Sequence, residues 1–426
     1  MIKTFGHYVY WSLIFFTGLI QFLGLPSGIY KVGIPLVAGL LFLYTFIQEA
    51  GRLVYPFVGW FLGFVFLSVT SSVINGIDSF SLVYFLIYTL LSYTYFVILV
   101  NERNIRLIKS VIAYLKILVL IQIPVVIVKY FMLGQSEKGG IGTLSINAGS
   151  VSTIFPVLVI TVLICYFLFS EKIKYLLLIG GFCLFAIVGA KRAIIFFIPI
   201  AFVLSYFLFY KMNRMIFDRR VVQKLLLIAL GGGVAFYVFV RTNPTLNPEH
   251  SLGGSFDTEY LTKYVTNYTS SAGKNMEEMR RKDGLFYFIN YISSGTTDLF
   301  LWGDGAGRLI QSKYNVHSGT MNEEYGVRYG GRMGFVWLLL QVGILGTLLY
   351  LLFYVRLYWY VSKRYLSHPI YLAFLVLTII FFIDLVIYSD VFLRYEYLKG
   401  LYFVLLGMIY LDQKYSTTYF TNLLRF

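Results

Sequence analysis

The stretch IYLAFLVLTIIFFIDLVIYS, residues 370–389, decides the fold of this chain. It contains one charged side chain, that of Asp384. A helix of about 20 mostly apolar residues is long enough to cross the hydrocarbon core of a bilayer. A surface helix of a soluble protein would carry a polar face, which this stretch lacks. The segment therefore predicts a helix that spans a membrane.

Eleven further apolar runs resemble this one. The composition agrees, because 58% of the 426 residues are apolar or aromatic and 13% are charged, with a mean hydropathy of +0.76. Since a soluble domain has about 25% charged residues, soluble enzymes, disulfide scaffolds and disordered chains are excluded. We predict an all-α polytopic membrane protein with about twelve transmembrane helices, at residues 8–24, 32–48, 53–74, 82–100, 107–133, 151–169, 175–190, 193–210, 225–240, 333–355, 370–389 and 400–412.

One long hydrophilic stretch divides the chain into three parts. We expect transmembrane helices one to nine in residues 1–240, an external loop domain in residues 241–332, and helices ten to twelve with a cytoplasmic tail in residues 333–426. The loop is too long for a simple connection, and its aromatic residues favour an ordered domain. Within it we expect a helix from Asn275 to Tyr291, with Glu277 and Glu278 at its start and an apolar end that packs on the membrane domain as a lid.

Basic residues predict the orientation, because Lys and Arg near the ends of spans resist translocation. With a cytoplasmic N-terminus, 17 basic residues lie on the cytoplasmic side and seven in the short loops opposite. Both termini are therefore expected in the cytoplasm and the long loop outside. This bias explains the net charge of +15 without a nucleic-acid partner. The seven residues opposite are Lys31, Lys129, Lys138, Lys191, Arg192, Arg394 and Lys399.

Some of these external cations are candidates for ligand binding. Lys191 and Arg192 lie between two apolar runs, and a cation within a membrane costs about 2.5–3.5 kcal/mol at the centre of a helix. They either reach lipid phosphates of the outer leaflet or bind the diphosphate of a substrate. Arg328 and Arg332, which close the long loop, present the same choice.

Acidic residues near the outer end of the eleventh span form a second group. Asp390 and Arg394 have the spacing of an i,i+4 ion pair. Asp384 has no such partner on its own helix, so it either pairs with Arg192 or Lys116 or acts as a base, since intramembrane acids face the bundle interior or a wet cavity.

Cofactor and metal sites are not indicated by the sequence. The glycine-rich GDGAGR (303–308) lies in an external loop and gives only weak support for a phosphate site. The four histidines, at positions 7, 250, 317 and 368, fall in no metal-ligand pattern. We therefore predict neither a cofactor nor a metal.

Four segments in residues 140–350 carry a resemblance to a known family. They are SINAGS (145–150), GAKR (189–192), RRKDGLFYFINYI leading to DLFLWGDGAGR in the long loop, and RMGFVWLLLQVGILG (332–346). In this order they resemble the bacterial O-antigen polymerase and O-antigen ligase superfamily of integral membrane glycosyltransferases. The resemblance implies an all-helical fold of the GT-C type with an external cavity, in the bacterial cytoplasmic membrane.

The resemblance also implies a reaction. Such enzymes transfer a glycan from an undecaprenyl-diphosphate-linked donor to an acceptor hydroxyl on the outer face of the membrane, without a metal. Asp384 is added to the expected catalytic residues because of its place within the eleventh span, and not because of the resemblance. Catalysis is assigned to His317, Arg332 and Asp384, diphosphate binding to Lys191, Arg192, Arg281 and Arg328, and acceptor or sugar binding to Asn147, Asn322 and Glu323.

Three functions stay open at this point. A polysaccharide repeat-unit polymerase is the leading interpretation, with a chain-length regulator, a flippase and membrane lipids as expected partners. A ligase that transfers the finished glycan to lipid A core or protein differs only in its acceptor. A flippase or other transporter is the alternative from another class, indicated by Lys116, Gln122 and Pro124 in the fifth span and by the glycines at 231–233.

Overall fold

The computed structural model describes most of the spans and part of the long loop. Helices account for nearly all of it, and the only strands among the described residues are two of two residues each. Statements below on what the protein contains refer to these residues. The described residues are 2–133, 142–145, 151–188, 193–212, 223, 233, 236–238, 240–241, 246–251, 253–269, 278–279, 281–310, 328–329, 333–363 and 368–415.

The first half of the membrane domain consists of eleven described helices. Most begin and end where the apolar runs do, because the apolar side chains gain from burial in lipid or protein while polar residues stay at the ends. They are α1 Ile2–Phe15, α2 Thr17–Phe22, α3 Gly28–Lys31, α4 Gly33–Gln48, α5 Val58–Ile74, α6 Ser79–Val100, α7 Ile105–Leu120, α8 Gln122–Leu133, α9 Val151–Ser170, α10 Ile173–Val188 and α11 Ile194–Met212.

The second half contains the long loop and the last spans. Its helices are α12 Thr258–Thr269, α13 Arg281–Ser294, α14 Thr297–Trp302, α15 Gly334–Lys363, α16 Pro369–Ile383, α17 Val391–Arg394 and α18 Glu396–Tyr415. A π-helical turn, Asp384–Tyr388, continues α16.

The described helices are those of an all-α, multi-pass membrane protein. Eleven of the twelve predicted runs contain a described helix, and run 225–240 lies mostly outside the described residues. The count of twelve stays a prediction. By length and composition six helices can cross a membrane, namely Gly28–Gln48, Ser79–Val100, Ile105–Lys129, Val151–Ser170, Gly334–Lys363 and Pro369–Tyr388, and three shorter apolar ones are Val58–Ile74, Ile173–Phe185 and Phe196–Lys211.

Contacts between the ends of the spans define two ends of the bundle. At one end Lys3 Nζ donates to Gln48 Oε1 at 3.1 Å and lies 2.6 Å from Glu102 Oε2. The backbone amide of Val54 donates to Asn101 Oδ1 at 2.8 Å. We name this the Lys3 end, and the opposite one the Gly303 end after the loop that docks there.

The long loop docks on the Gly303 end through its glycine-rich turn, residues 303–307. Ser72 Oγ donates to the carbonyl oxygen of Ala306 at 2.6 Å, and Asn75 Nδ2 donates to that of Gly303 at 3.0 Å. The amide of Gly307 donates to Gln341 Oε1 at 3.1 Å, and that of Asp304 to a backbone carbonyl of α15 at 2.6 Å. Both of these amides donate to the protein itself, so the turn anchors the loop.

A break in α15 accompanies this docking. Gly343 has φ 60° and ψ −167°, which separates two helical segments within Gly334–Lys363. A Cβ atom at Gly343 would lie 2.3 Å from the carbonyl oxygen of Leu301, and one at Gly303 would lie 2.5 Å from the amide nitrogen of Gly343. The two glycines therefore allow the loop backbone and the helix backbone to touch.

The last spans contain a second irregular region. α16 passes into the π-helical turn, α17 follows, and Tyr395 is extended before α18 begins at Glu396. Because Glu396 contacts Ser92 and Gly407 packs on Leu99, α18 runs parallel to α6. Lys399 was expected in a short external loop, and this was wrong, because it lies inside α18 and is fully buried.

The loop helix α13 corrects one prediction and confirms another. Its expected start near residues 275–278 was wrong, because Glu278 is extended and pairs with Arg328 as Met279 pairs with Tyr329, forming the parallel strands β1 (Glu278–Met279) and β2 (Arg328–Tyr329). The helix begins at Arg281. Its apolar end packs on the membrane domain as predicted, with Phe288 and Ile292 buried in the main core.

Orientation can be tested by labelling with a membrane-impermeant maleimide. In a background with Cys165→Ala and Cys183→Ala, we expect Asp298→Cys in the exposed part of the loop to react in intact cells. Arg103→Cys, at the Lys3 end and 78% exposed, should react only after permeabilisation. The opposite pattern would reverse the predicted topology.

The docking turn can be tested at Gly307, whose φ is +105° and whose Cβ would lie 2.6 Å from the carbonyl carbon of Ser81. Gly307→Ala should lower the thermal unfolding midpoint in detergent. The matched control is Gly253→Ala, where φ is +86° and no described atom lies within 4 Å. Both pay a backbone cost of about 1–2 kcal/mol, so equal shifts would contradict the docking contact.

Candidate anion-binding cavity

A cavity of about 220 Å³ opens between α1, α4, α6 and the α17–α18 junction. Two cations and one carboxylate line it together with an unusual number of phenol rings. Such a wall offers charge for an anion and flat faces for a sugar ring. The polar and aromatic lining residues used below are Lys31 and Arg394, Glu396, Ser145, and the tyrosines Tyr30, Tyr84, Tyr88, Tyr395 and Tyr397.

The two cations come from short helices that end at the cavity. Lys31 is the last residue of α3 and is exposed, and Arg394 is the last residue of α17. Arg394 Nη1 lies 3.2 Å from Asp390 Oδ2, which confirms the i,i+4 pair expected from the sequence. A guanidinium has five N–H donors, so one bond to Asp390 leaves others for a ligand.

The tyrosines supply a wall that is apolar on its faces and polar at its rim. Tyr30 OH accepts a hydrogen bond from Gln21 Nε2 at 3.0 Å, which fixes one phenol beside Lys31. Tyr84 and Tyr88 are one turn apart on α6 and are half-buried at the same cavity. Sugar rings stack on aromatic faces, so the cavity suits a glycan next to an anion.

A short segment, residues 142–145, closes the cavity near α1. Several hydrogen bonds hold Thr143. Its amide donates to Gln122 Oε1 at 2.8 Å, its hydroxyl donates to the carbonyl of Phe15 at 2.8 Å and accepts from Gln122 Nε2 at 2.9 Å, and its carbonyl accepts from the amide of Gly18 at 2.8 Å. Ser145, where the SINAGS segment begins, thereby reaches the cavity wall. Gln122, which suggested transport, has this structural task.

The floor of the cavity holds a buried ion pair. Glu396 Oε1 lies 3.0 Å from Lys399 Nζ, and Ser92 Oγ donates to Glu396 Oε2 at 2.5 Å. The side chain of Lys399 is 0% exposed and that of Glu396 is 11% exposed. Removing two charges from water costs several kcal/mol per ion, so this pair is held for a reason beyond packing.

Asp384 lies outside this cavity, in the π-helical turn. It is fully buried, and its Oδ1 accepts a hydrogen bond from Ser389 Oγ at 2.6 Å. The amide of Gly334 donates to the carbonyl of Ser389 at 3.1 Å, which sets the start of α15 against the same turn. Lys116, proposed as a partner of Asp384, lines a small apolar cavity with Leu158 and Leu401.

The other predicted site residues are placed only in part. Pairing of β1 with β2 brings the backbone of Arg328 close to the segment that leads into Arg281. No three His, Cys, Asp or Glu residues gather as a metal site within the described ranges. The remaining predicted residues lie outside the described residues: Asn147, Lys191, Arg192, His317, Asn322, Glu323 and Arg332.

Sequence reasoning missed Glu396 and Ser92, and it did not predict that Lys31 and Arg394 line the same cavity. The signal for the two cations was available, because both stood among the seven exceptions to the inside bias. The signal for Glu396 was the spacing Glu-x-x-Lys at the start of an apolar run, which places two opposite charges on one face of a helix.

Anion binding can be tested with inorganic diphosphate and purified protein. We expect saturating diphosphate to raise the thermal unfolding midpoint, since a ligand at 100 times its Kd stabilises by about 2.7 kcal/mol. Lys31→Met and Arg394→Met should each reduce the rise. Arg103→Met, which removes a cation paired with Glu49 at the Lys3 end, is the matched control. An undiminished rise in both cavity variants would refute the site.

Comparison with known proteins assigns no family to the chain. None of the models of known protein families matches it, and none of the curated proteins does. A function has to be argued from the cavity and from the sequence.

Proposed function

We propose that the protein is a polysaccharide repeat-unit polymerase. It takes a glycan from an undecaprenyl-diphosphate-linked donor and joins it to a hydroxyl of a second lipid-linked glycan. The observation that supports this best is the cavity that combines Lys31 and Arg394 with five tyrosines. A diphosphate needs the cations, and sugars attached to it fit the aromatic wall.

The cations would act on the leaving group. As the bond between the anomeric carbon and the diphosphate oxygen breaks, negative charge builds up on the diphosphate, and fixed cations stabilise that charge more than they stabilise the ground state. The sequence-predicted Arg192, Arg281, Arg328 and Arg332 would add to this charge from the loop side. The reaction on this account needs neither a metal nor a nucleotide sugar.

The proposed architecture is that of the family the sequence resembles. It has about twelve spans of GT-C type in a bacterial cytoplasmic membrane, both termini in the cytoplasm, and the Gly303 end outside. The docked loop would cover the site and exclude water from it. A chain-length regulator and a flippase would act with it.

Transport of a lipid-linked oligosaccharide is the second candidate, and one observation favours it. The helix interruptions at Gly343 and at residues 384–395 resemble the broken helices at which transporters bind substrates. The break at Gly343 has a structural explanation, because the loop docks on it. This explanation favours the enzyme over the transporter. A ligase remains the near alternative, since it differs only in its acceptor.

The proposal can be tested by complementation in a strain that lacks the gene. Wild type should restore a ladder of surface glycan on a gel, whereas Lys31→Ala and Arg394→Ala should reduce it about 100-fold, the usual cost of one lost donor to a developing anion. Arg103→Ala, at matched membrane abundance, should restore the ladder.

A reaction with purified protein and lipid-linked repeat units separates the alternatives. A ladder in detergent solution identifies a polymerase, because no membrane is present across which to transport. A single transfer to lipid A core without a ladder identifies a ligase. No transfer by wild type would sink the enzymatic proposal.

A further inference from the structure

Glu396, Lys399 and Ser92 form a polar group within the bundle. Ser92 is eight residues before the end of α6, so at 1.5 Å per residue the group lies roughly 12 Å from that end, inside the span. Lys399 is fully buried, and its charge is balanced by Glu396 at 3.0 Å. Such a pair is costly in a membrane, and an ionisable residue inside a span is by default a candidate functional residue.

The local backbone explains why Glu396 lines the cavity. α17 ends at Arg394, Tyr395 is extended with φ −107° and ψ 116°, and α18 begins at Glu396. An uninterrupted helix would turn residues 394 and 396 to faces about 200° apart. The break instead lets Arg394 and Glu396 line the same cavity.

The partners of Glu396 hold its side chain in place. Ser92 donates a hydrogen bond to one carboxylate oxygen and Lys399 faces the other. A carboxylate oxygen can accept the proton of a hydroxyl group that approaches it within hydrogen-bond distance. Its side chain is 11% exposed, and it lines the cavity beside the cations expected to hold the diphosphate.

We propose that Glu396 is the general base of the transfer, and that Ser92 and Lys399 are positioning residues. This inference rests on the proposed polymerase function. The acceptor oxygen forms a bond with the anomeric carbon of the donor, and the bond from that carbon to the diphosphate breaks with its electron pair on the diphosphate. The hydroxyl proton goes to the Glu396 carboxylate, which later releases it to water. The sequence resemblance gives this role to His317 instead.

The test measures transfer by purified Glu396→Gln protein with and without sodium azide. Loss of a general base should lower kcat by about 100-fold or more, while binding of the lipid-linked donor changes little. Azide attacks as an anion and has no proton to lose, so it should restore turnover of Glu396→Gln with a glycosyl azide as product. It should not rescue His317→Ala. Glu396→Asp, which keeps the carboxylate, should retain part of the activity.

The control removes another buried ion pair far from the cavity. Glu102 lies 2.6 Å from Lys3 with side chains 5% and 9% exposed, so Glu102→Gln tests the structural cost alone. It should keep transfer near the wild-type rate. If Glu396→Gln transfers normally, or loses transfer without azide rescue while Glu396→Asp is also inactive, the base assignment is wrong. If wild type itself shows no transfer, the proposed function has failed and the base assignment with it.

Discussion

A backbone that leaves the helical conformation inside a membrane must find hydrogen-bond partners within the protein. This constraint governs the Gly303 end of the bundle. Gly343 interrupts α15, and Ser71 Oγ lies 2.7 Å from the carbonyl oxygen of Gln341 and 2.6 Å from that of Trp302 in the loop. The carbonyl groups of the loop and of the broken helix thus share a hydrogen-bond partner in Ser71. Because the break would be costly without the loop, the docked part of the loop is structurally part of the helical bundle.

The same constraint explains where the cavity lies. The turn at residues 142–145 is held by Gln122 and Phe15, and the region after α16 by bonds such as that from the amide of Ser389 to the carbonyl of Asp384 at 2.8 Å. Irregular backbone is tolerated at membrane depth only where protein or a wet cavity surrounds it. The cavity lies where α1, the 142–145 segment and the α17–α18 junction meet, so the irregular segments form its walls.

Particular residues show how far the sequence could go. Apolar runs predicted the spans because hydropathy over about 20 residues is a local property, and the Asp390–Arg394 pair followed from spacing alone. Lys399 was assigned to a loop because the apolar run after it begins at residue 400, whereas α18 starts at Glu396. The start of α13 was misplaced because Glu278 pairs with Arg328, fifty residues later, and no local pattern carries that pairing. The chain has 38 glycines, and no local pattern distinguishes Gly343 as the one that interrupts a helix. The interruption depends on the loop that packs against it.

Charge balance links the buried pair to the cavity. Alone, Glu396 would oppose an anion bound by Lys31 and Arg394, since like charges repel strongly where water is scarce. Lys399 offsets Glu396 and Asp390 offsets Arg394, so Lys31 gives the three cations an excess of one over the two carboxylates. The cavity thereby keeps a positive balance while Glu396 forms part of its wall. A site that had only to bind an anion would do better without Glu396, so the retention of both the acid and its compensating lysine argues for a task that needs a proton acceptor beside the anion.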